Sequence, residues 1–208
     1  MWWFWSIQSI WAAEDFCQSD SSEIVHSIQV IQEVLNTKDC AHTLQKLKKV
    51  ESLLLIDQGL TDVSVLTVAE NLKYVNLRQN HLQQFNAGNS ALQWVDLSYN
   101  PIVSIKSTSV KTIYCNHCQL QSLEQIQAPK VKELILRNNQ ISEIVLKDFS
   151  KLSVLLLSNN QISDINPLIS SKQLKVLDLS LNGIEKDDCP TDKTVGKGLR
   201  IACGALYE

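Results

Sequence analysis

The chain has 208 residues, of which 44% are hydrophobic and 20% charged, and its formal net charge is −3 at pH 7. A chain of this length and composition can bury a hydrophobic core. The near-neutral charge excludes the broad basic field on which nucleic-acid binding depends, and no apolar run reaches the roughly 18 residues that span a bilayer. We therefore expect a folded domain with no nucleic-acid partner and no integral membrane span.

The first 13 residues differ in composition from the rest of the chain. No lysine, arginine, aspartate or glutamate precedes Glu14, whereas four of the five tryptophans lie before it. An apolar run of this length that ends in small residues, here Ala12 and Ala13, is typical of a secretory signal peptide. We interpret residues 1–13 as a cleaved export signal. An interfacial anchor and a buried N-terminal segment are the alternatives.

One pattern, L-x-x-L-x-L-x-x-N-x-L with Val or Ile at some Leu positions, occurs seven times between Val50 and Ile184. The asparagine position falls at residues 58, 80, 100, 118, 139, 160 and 182, so successive copies are 18 to 22 residues apart. The register does not slip within a copy. Self-similarity at a short, nearly fixed period predicts a repeat architecture.

This pattern resembles that of leucine-rich repeat proteins over about two thirds of the chain. Second halves such as Ile141-Ser142-Glu143-Ile144 resemble the SDS22-like and bacterial internalin-like repeat class, with a shortened eukaryotic extracellular type as the alternative. The resemblance implies an α/β fold, a leucine-rich repeat solenoid shaped as a curved horseshoe with a parallel β-sheet on its concave face. Residues 50–186 would form its seven repeats.

Each copy is expected to supply one short strand, whose alternating leucines are buried only when neighbouring copies stack. The asparagine side chain turns inward and hydrogen-bonds backbone groups of the loop. The first and fourth copies depart from this rule, because they carry Gln58 and Cys118. We expect Gln58 to serve less well, and Cys118 to be a small buried thiol.

Both ends of a solenoid need a cap, because an open terminal repeat exposes its core to water. Residues 14–49 are interpreted as a helical N-terminal cap, since apolar residues over 24–35 recur at helical spacing behind Ser21. A second short helix is expected just before Val50. Residues 187–208 are interpreted as a C-terminal cap that includes a closing strand near 199–203.

The six cysteines fall into three local pairs, Cys17/Cys40, Cys115/Cys118 and Cys189/Cys203. The first and last pairs lie in the caps and are predicted to form disulfides, each stabilising the fold by roughly 3 kcal/mol in the chain-entropy model. Such bonds require an oxidising compartment. This prediction therefore depends on the export signal, and without that signal free cap thiols are expected.

The segment Cys115-Asn116-His117-Cys118 is a C-x-x-C pattern that by itself suggests zinc binding or redox chemistry. Both cysteines occupy inward positions of the fourth copy, so we interpret them as core residues. The other histidines show no spacing that would complete a zinc site. No nucleophile, paired-carboxylate or phosphate-loop pattern stands out elsewhere. We expect no metal, no cofactor and no catalysis.

Side chains that flank the buried leucines point outward and form columns across the concave sheet. Trp94 is the only tryptophan after residue 13, and the register places it facing solvent between two tyrosines. Aromatic residues and arginines are enriched at interaction hot spots, which favours a binding role; a surface aromatic covered by its neighbours is the alternative. The candidate partner-binding residues are Tyr74, Arg78, Trp94, Asp96, Tyr114, Asn116, Glu133 and Arg137. Further apolar exposure is expected from Leu54, Ile56, Ile135 and Leu156.

The sequence thus predicts a noncatalytic, exported protein, secreted or periplasmic, whose concave sheet binds a protein or peptide partner. A glycan stacked on Trp94 fits this surface less well. Two alternatives stay open. One is a cytosolic SDS22-like regulatory scaffold, and the other is a zinc or redox protein that uses Cys115, His117 and Cys118.

Overall fold

The computed structural model describes residues 13–88, 91–169, 171, 173–185, 188–189 and 199–204. The export signal predicted for residues 1–13 therefore lies outside the described residues, except for Ala13, as does most of the C-terminal cap predicted for 187–208. In the described part of the chain, no helix has both the length and the apolar character needed to cross a membrane.

The strands form two parallel sheets. In chain order they are β1 (Ser52–Leu54), β2 (Tyr74–Asn76), β3 (Gln84–Ala87), β4 (Trp94–Asp96), β5 (Ser104–Ser107), β6 (Thr112–Tyr114), β7 (Ile126–Gln127), β8 (Glu133–Ile135), β9 (Val154–Leu156), β10 (Val176–Ser180) and β11 (Arg200–Gly204). The eight-stranded sheet has the order β1-β2-β4-β6-β8-β9-β10-β11. Each of the seven motif copies supplies one of these strands, and β11 pairs with β10 as the expected closing strand. The chain is thus the solenoid predicted from the repeats.

The core is a continuous row of aliphatic side chains beneath the large sheet. The second residue of each of its first seven strands, from Leu53 in β1 to Leu177 in β10, is buried. The next leucine position is buried as well, from Leu55 to Leu179. Neighbouring copies therefore share one core, which explains why a single copy would not be stable alone.

The inward asparagines hydrogen-bond the backbone groups of the loops, as predicted. Asn100 Nδ2 donates to Leu77 O at 2.8 Å and to Leu97 O at 3.0 Å, while Asn100 Oδ1 accepts from Leu82 N at 3.0 Å. The same arrangement recurs at Asn80, Asn139, Asn160 and Asn182. Each amide links two successive repeats through groups that would otherwise be buried without partners.

Gln58, at the asparagine position of the first repeat, does not make these hydrogen bonds between repeats. Its Nε2 donates to Ile56 O at 2.8 Å within its own loop, and its side chain stays partly exposed. The longer side chain therefore serves the first repeat less well, as expected.

A second sheet of three strands, in the order β3-β5-β7, covers the outer side of repeats two to four. Phe85, Ile105 and Ile126 point from it into the core and are buried. Repeat one instead carries a 3₁₀ helix over Ser64–Val68, and in repeat four a 3₁₀ helix over Leu123–Gln125 directly precedes β7. The repeat pattern predicts only the large sheet, so the second sheet was not expected.

The N-terminal end is covered by three helices, α1 (Ala13–Cys17), α2 (Ser22–Leu35) and α3 (Cys40–Leu47), and a fourth, α4 (Asn166–Ile169), lies in the sixth repeat. Ser21 caps α2, since its Oγ accepts from Ile24 N and donates to Glu23 Oε2 at 2.8 Å. The latter bond lowers the pKa of Glu23. The apolar side of α2 and α3 packs on the first repeat, where Leu47 is fully buried.

Three disulfides are present. Cys17–Cys40 joins α1 to α3, and Cys189–Cys203 ties the segment after the last repeat to β11, so both predicted pairs are confirmed. The third, Cys115–Cys118, was not predicted. The expectation that Cys118 is a buried thiol is wrong, because the spacing of the two inward positions also brings their sulfur atoms together.

Candidate functional site

The concave face is built from two outward columns that the strand register aligns. The first column runs Ser52, Tyr74, Trp94, Thr112, Glu133, Val154 and Val176. The second runs Leu54, Asn76, Asp96, Tyr114, Ile135, Leu156 and Asp178. Val95, between Trp94 and Asp96, is fully buried, so the alternation of a strand sets Trp94 on the solvent side.

Apolar and aromatic side chains dominate the N-terminal half of this face. Leu54, Ile56 and Tyr74 are 63%, 38% and 48% exposed. The half-buried rings of Trp94 and Tyr114 contact each other with centroids 5.5 Å apart and planes tilted by 50°. We call these five residues the aromatic face. Large apolar side chains left exposed side by side on a soluble protein favour an interaction surface.

The aromatic face ends at repeat four. Ile135 was expected to be exposed, but only 7% of it is accessible, because Tyr114 and Leu156 flank it in the same column. Leu156 is half-buried. Ser98, aligned with Arg78 and Asn116 in a third column, is also buried, and its Oγ accepts from Asn116 N at 3.1 Å.

Three of the polar candidate residues are partly engaged in holding the sheet. Asp96 Oδ1 accepts from Ser98 N at 2.8 Å, and Asn116 Oδ1 accepts from Arg137 N at 2.9 Å. Glu133 Oε2 accepts from Thr112 Oγ1 at 3.2 Å. Asn116 and Glu133 are therefore held by a neighbouring repeat and Asp96 by its own, and all three residues keep some exposure.

The two arginines, Arg78 and Arg137, have partners other than Trp94 and Tyr114. Arg137 Nη2 lies 3.0 Å from Asp178 Oδ2, two repeats further along. Asp178 is 14% exposed at the side chain, so this ion pair is partly shielded from water. The guanidinium of Arg78 lies 4.4 Å from the ring centroid of Tyr99.

Tyr99 and His117 form part of the site that sequence reasoning missed. Their rings stack with centroids 4.4 Å apart, so Arg78, Tyr99 and His117 form one column that we call the rim stack. Both residues directly precede the asparagine position and have positive φ, 59° and 52°. The corresponding residue of every repeat shares this conformation. Extending the aligned columns by one position would have revealed the pair.

The Cys115–Cys118 disulfide lies directly beneath the rim stack. It closes a loop whose two intervening residues, Asn116 and His117, both face the site, while the two cysteines are buried. Cys118 Sγ lies 3.5 Å from Leu97 O but has no proton to donate when it is oxidised. Since each sulfur is bonded to the other, neither is available as a thiolate ligand.

An open groove of about 700 Å³ adjoins the rim stack. Amide, imidazole and ring side chains line much of it, among them Gln79, His81, Pro101, Gln119 and Gln140. Within the described residues, no group of three or more His, Cys, Asp or Glu side chains is arranged to hold a metal ion.

The stacked strands and shared core define a parallel-sheet solenoid. Two family models of leucine-rich repeats match the chain, over residues 130–152 and 170–189. Among solved structures, internalin C2 of Listeria monocytogenes is 19% identical with a TM-score of 0.58, and the match covers 86% of this chain and 92% of that one. A Shigella effector leucine-rich repeat domain is 13% identical with a TM-score of 0.60, covering 95% and 96%. The chain is a leucine-rich repeat protein.

A third solved structure, the functional domain of InlJ from Listeria monocytogenes, includes a cysteine ladder. It is 19% identical with a TM-score of 0.51, and the match covers 75% of this chain but only 39% of that one. No curated protein is significantly similar to the chain in sequence. At these identities the likeness concerns the fold, so the function is argued from the surface.

Proposed function

We propose that this leucine-rich repeat protein is a noncatalytic, exported binding protein that holds a protein partner on its concave sheet. The aromatic face carries the proposal, because Tyr74 is exposed on the strand next to Trp94 of the Trp94–Tyr114 pair, and Leu54 and Ile56 are exposed one repeat before Tyr74. Burying such residues under a partner removes apolar area from water, and aromatic anchors supply much of the energy of protein interfaces.

The surroundings of the aromatic face suit a polypeptide. Asp96, Asn116 and Glu133 offer carboxylate and amide groups whose positions are fixed by the sheet. The rim stack adds a guanidinium and an imidazole at one side. A hydrophobic centre with a polar rim is the usual anatomy of a protein interface. A glycan would use the rings but gain little from Leu54 and Ile56.

Export is supported by the three disulfides and by the composition of residues 1–13. Disulfides persist in oxidising compartments, so we place the protein in the periplasm or outside the cell. The alternative, a cytosolic SDS22-like scaffold, would have reduced cysteines and an uncleaved N-terminus. Intact mass of the natively expressed protein, measured with and without reductant, separates the two. Loss of the first 13 residues and a gain of six hydrogens on reduction are expected.

Partner binding is tested with the double variant Trp94→Ala/Tyr114→Ala. Affinity purification from the native source identifies a captured protein, whose affinity for each variant is then measured with purified components. We expect the double variant to lose at least about 100-fold in affinity, as for central aromatic anchors. The matched control is Gln84→Ala/Lys106→Ala, which changes two exposed strand residues of the second sheet. Full affinity in both variants would reject the concave site.

A further inference from the structure

A row of lysines runs along the edge of the large sheet where its strands begin. The row is set by backbone hydrogen bonds between neighbouring repeats: Lys132 N donates to Lys111 O at 2.7 Å, Ser153 N to Lys132 O at 2.8 Å, and Lys175 N to Ser153 O at 2.8 Å. Strands in a sheet lie about 4.8 Å apart, so Lys111 and Lys175 are separated by about 14 Å along the row.

Two further lysines, Lys130 and Lys151, precede this row by two residues in repeats five and six. All five side chains are exposed, and each of repeats four to seven contributes at least one. We call Lys111, Lys130, Lys132, Lys151 and Lys175 the lysine edge. It shares no residue with the aromatic face, and only repeat four contributes to both.

The same edge is neutralised in the first repeats. Lys73 Nζ lies 2.8 Å from Glu51 Oε1, and Lys48 Nζ lies 3.9 Å from Glu70 Oε1.

The lysine edge has no such compensation. Among the residues that the structure describes, none of its five members forms an ion pair, and Lys111 Nζ donates only to the neutral Gln93 Oε1 at 3.0 Å. Glu133, the neighbour of Lys132, is instead engaged with Thr112. Like charges on adjacent strands repel, and an anionic ligand would relieve this repulsion.

We propose that the lysine edge binds a linear sulfated polysaccharide. The exposed row offers charge along a line, which suits a polymer that carries anions along its whole length. A stiff polysaccharide loses less conformational entropy on binding than an acidic peptide of equal charge. All five cations are lysines, point charges that need no fork-shaped partner, whereas recognition of carboxylates favours arginine. The site is independent of the partner site proposed above.

The test uses the full chain and size-defined heparin oligosaccharides in a direct binding assay. Binding is expected at low salt and should weaken steeply as salt rises, because it depends on unshielded charge. The triple variant Lys111→Gln/Lys132→Gln/Lys175→Gln should lose at least about tenfold in affinity. The control Lys38→Gln/Lys49→Gln/Lys106→Gln removes three other exposed lysines and should retain it. Circular dichroism melting confirms that both variants fold.

Several outcomes would overturn the proposal. They are absence of binding by the unmodified chain at low salt, equal loss in the two triple variants, and undiminished binding of desulfated oligosaccharide. Equal affinity for polyglutamate or for a single-stranded oligonucleotide of the same charge would indicate a different class of ligand and equally reject it. Trp94→Ala/Tyr114→Ala should bind heparin normally, so failure of one proposal leaves the other intact.

Discussion

Repeats three and four differ in the residue at the asparagine position of the motif, Asn100 in one and Cys118 in the other, and therefore in how the buried backbone groups around it are paired. In repeat three, Asn100 donates to Leu77 O and Leu97 O and accepts from Leu82 N, and so connects repeats two and three. In repeat four, Cys118 can do neither, and the N–H of Ile102, which an asparagine there would serve, donates to Asn100 O at 2.8 Å. The buried backbone groups near the asparagine position must therefore be paired, and an asparagine side chain is only one means of pairing them.

The disulfide of repeat four also affects the loop that carries Asn116 and His117. An asparagine at this position leaves the preceding loop tethered only by hydrogen bonds, whereas the Cys115–Cys118 disulfide closes that loop covalently. The loop carries Asn116 and His117, and His117 stacks on Tyr99. Repeat four thus has a covalently closed loop at the position where the aromatic face and the rim stack meet.

The largest loss of stability is expected when one of the inward asparagines is removed. Asn139→Ala would leave Leu120 N–H and the carbonyl of Cys115 without a partner, and the carbonyl of Leu136 would keep only Asn160 Nδ2 as a donor. Each buried orphan costs about 1–3 kcal/mol, so the free energy of unfolding should fall by about 3–5 kcal/mol. Urea unfolding followed by circular dichroism measures it. A loss below about 1 kcal/mol would show that the hydrogen bonds of Asn139 are not needed for stability.

The cap disulfide should come next. Cys17 and Cys40 are 23 residues apart, and the chain-entropy model then gives a loss of about 3 kcal/mol for Cys17→Ala/Cys40→Ala. The same model gives only about 2 kcal/mol for the three-residue separation of Cys115 and Cys118. Calorimetry under oxidising conditions compares the two pairs. A larger loss from opening the short loop would contradict the entropic account.

A smaller change is expected when repeat four is made regular. Cys115→Leu/Cys118→Asn removes the disulfide but restores the motif, so the lost constraint of about 2 kcal/mol is offset by new amide hydrogen bonds. The free energy of unfolding should change by no more than about 1 kcal/mol. Chemical denaturation is again the measurement. A loss above about 3 kcal/mol would mean that the loop accepts only the disulfide.

Gln58→Ala should have the smallest effect. The side chain is partly exposed and bonds only Ile56 O and Asp57 O in its own loop, so water can replace it. A loss within about 0.5 kcal/mol is expected by denaturant titration. A loss as large as that of Asn139→Ala would show that Gln58 stabilises the first repeat as the inward asparagines stabilise the others.

The repeats and the buried ladder could be predicted from the sequence, because the same residue types recur at fixed positions and burial follows the alternation of the strand. The cap disulfides followed from cysteines close in sequence. The Cys115–Cys118 bond was missed because core burial and disulfide bonding are compatible, and burial alone was inferred.

Other features depend on side-chain contacts across repeats, which a motif does not encode. Ile135 occupies an outward position yet is buried by Tyr114 and Leu156. Arg137 reaches over repeat six to Asp178. Tyr99 was overlooked because the outward columns stopped one residue short of the loop, where positive φ turns the chain.

Fluorescence of Trp94 tests most directly whether the aromatic pair faces solvent on the concave sheet. In the full chain with Phe in place of Trp2, Trp3, Trp5 and Trp11, Trp94 is the only emitting indole. Acrylamide should quench the native protein, and Tyr114→Ala should increase the quenching, because Tyr114 covers part of the indole. Emission typical of a buried indole, unquenched until the protein unfolds, would contradict the outward register.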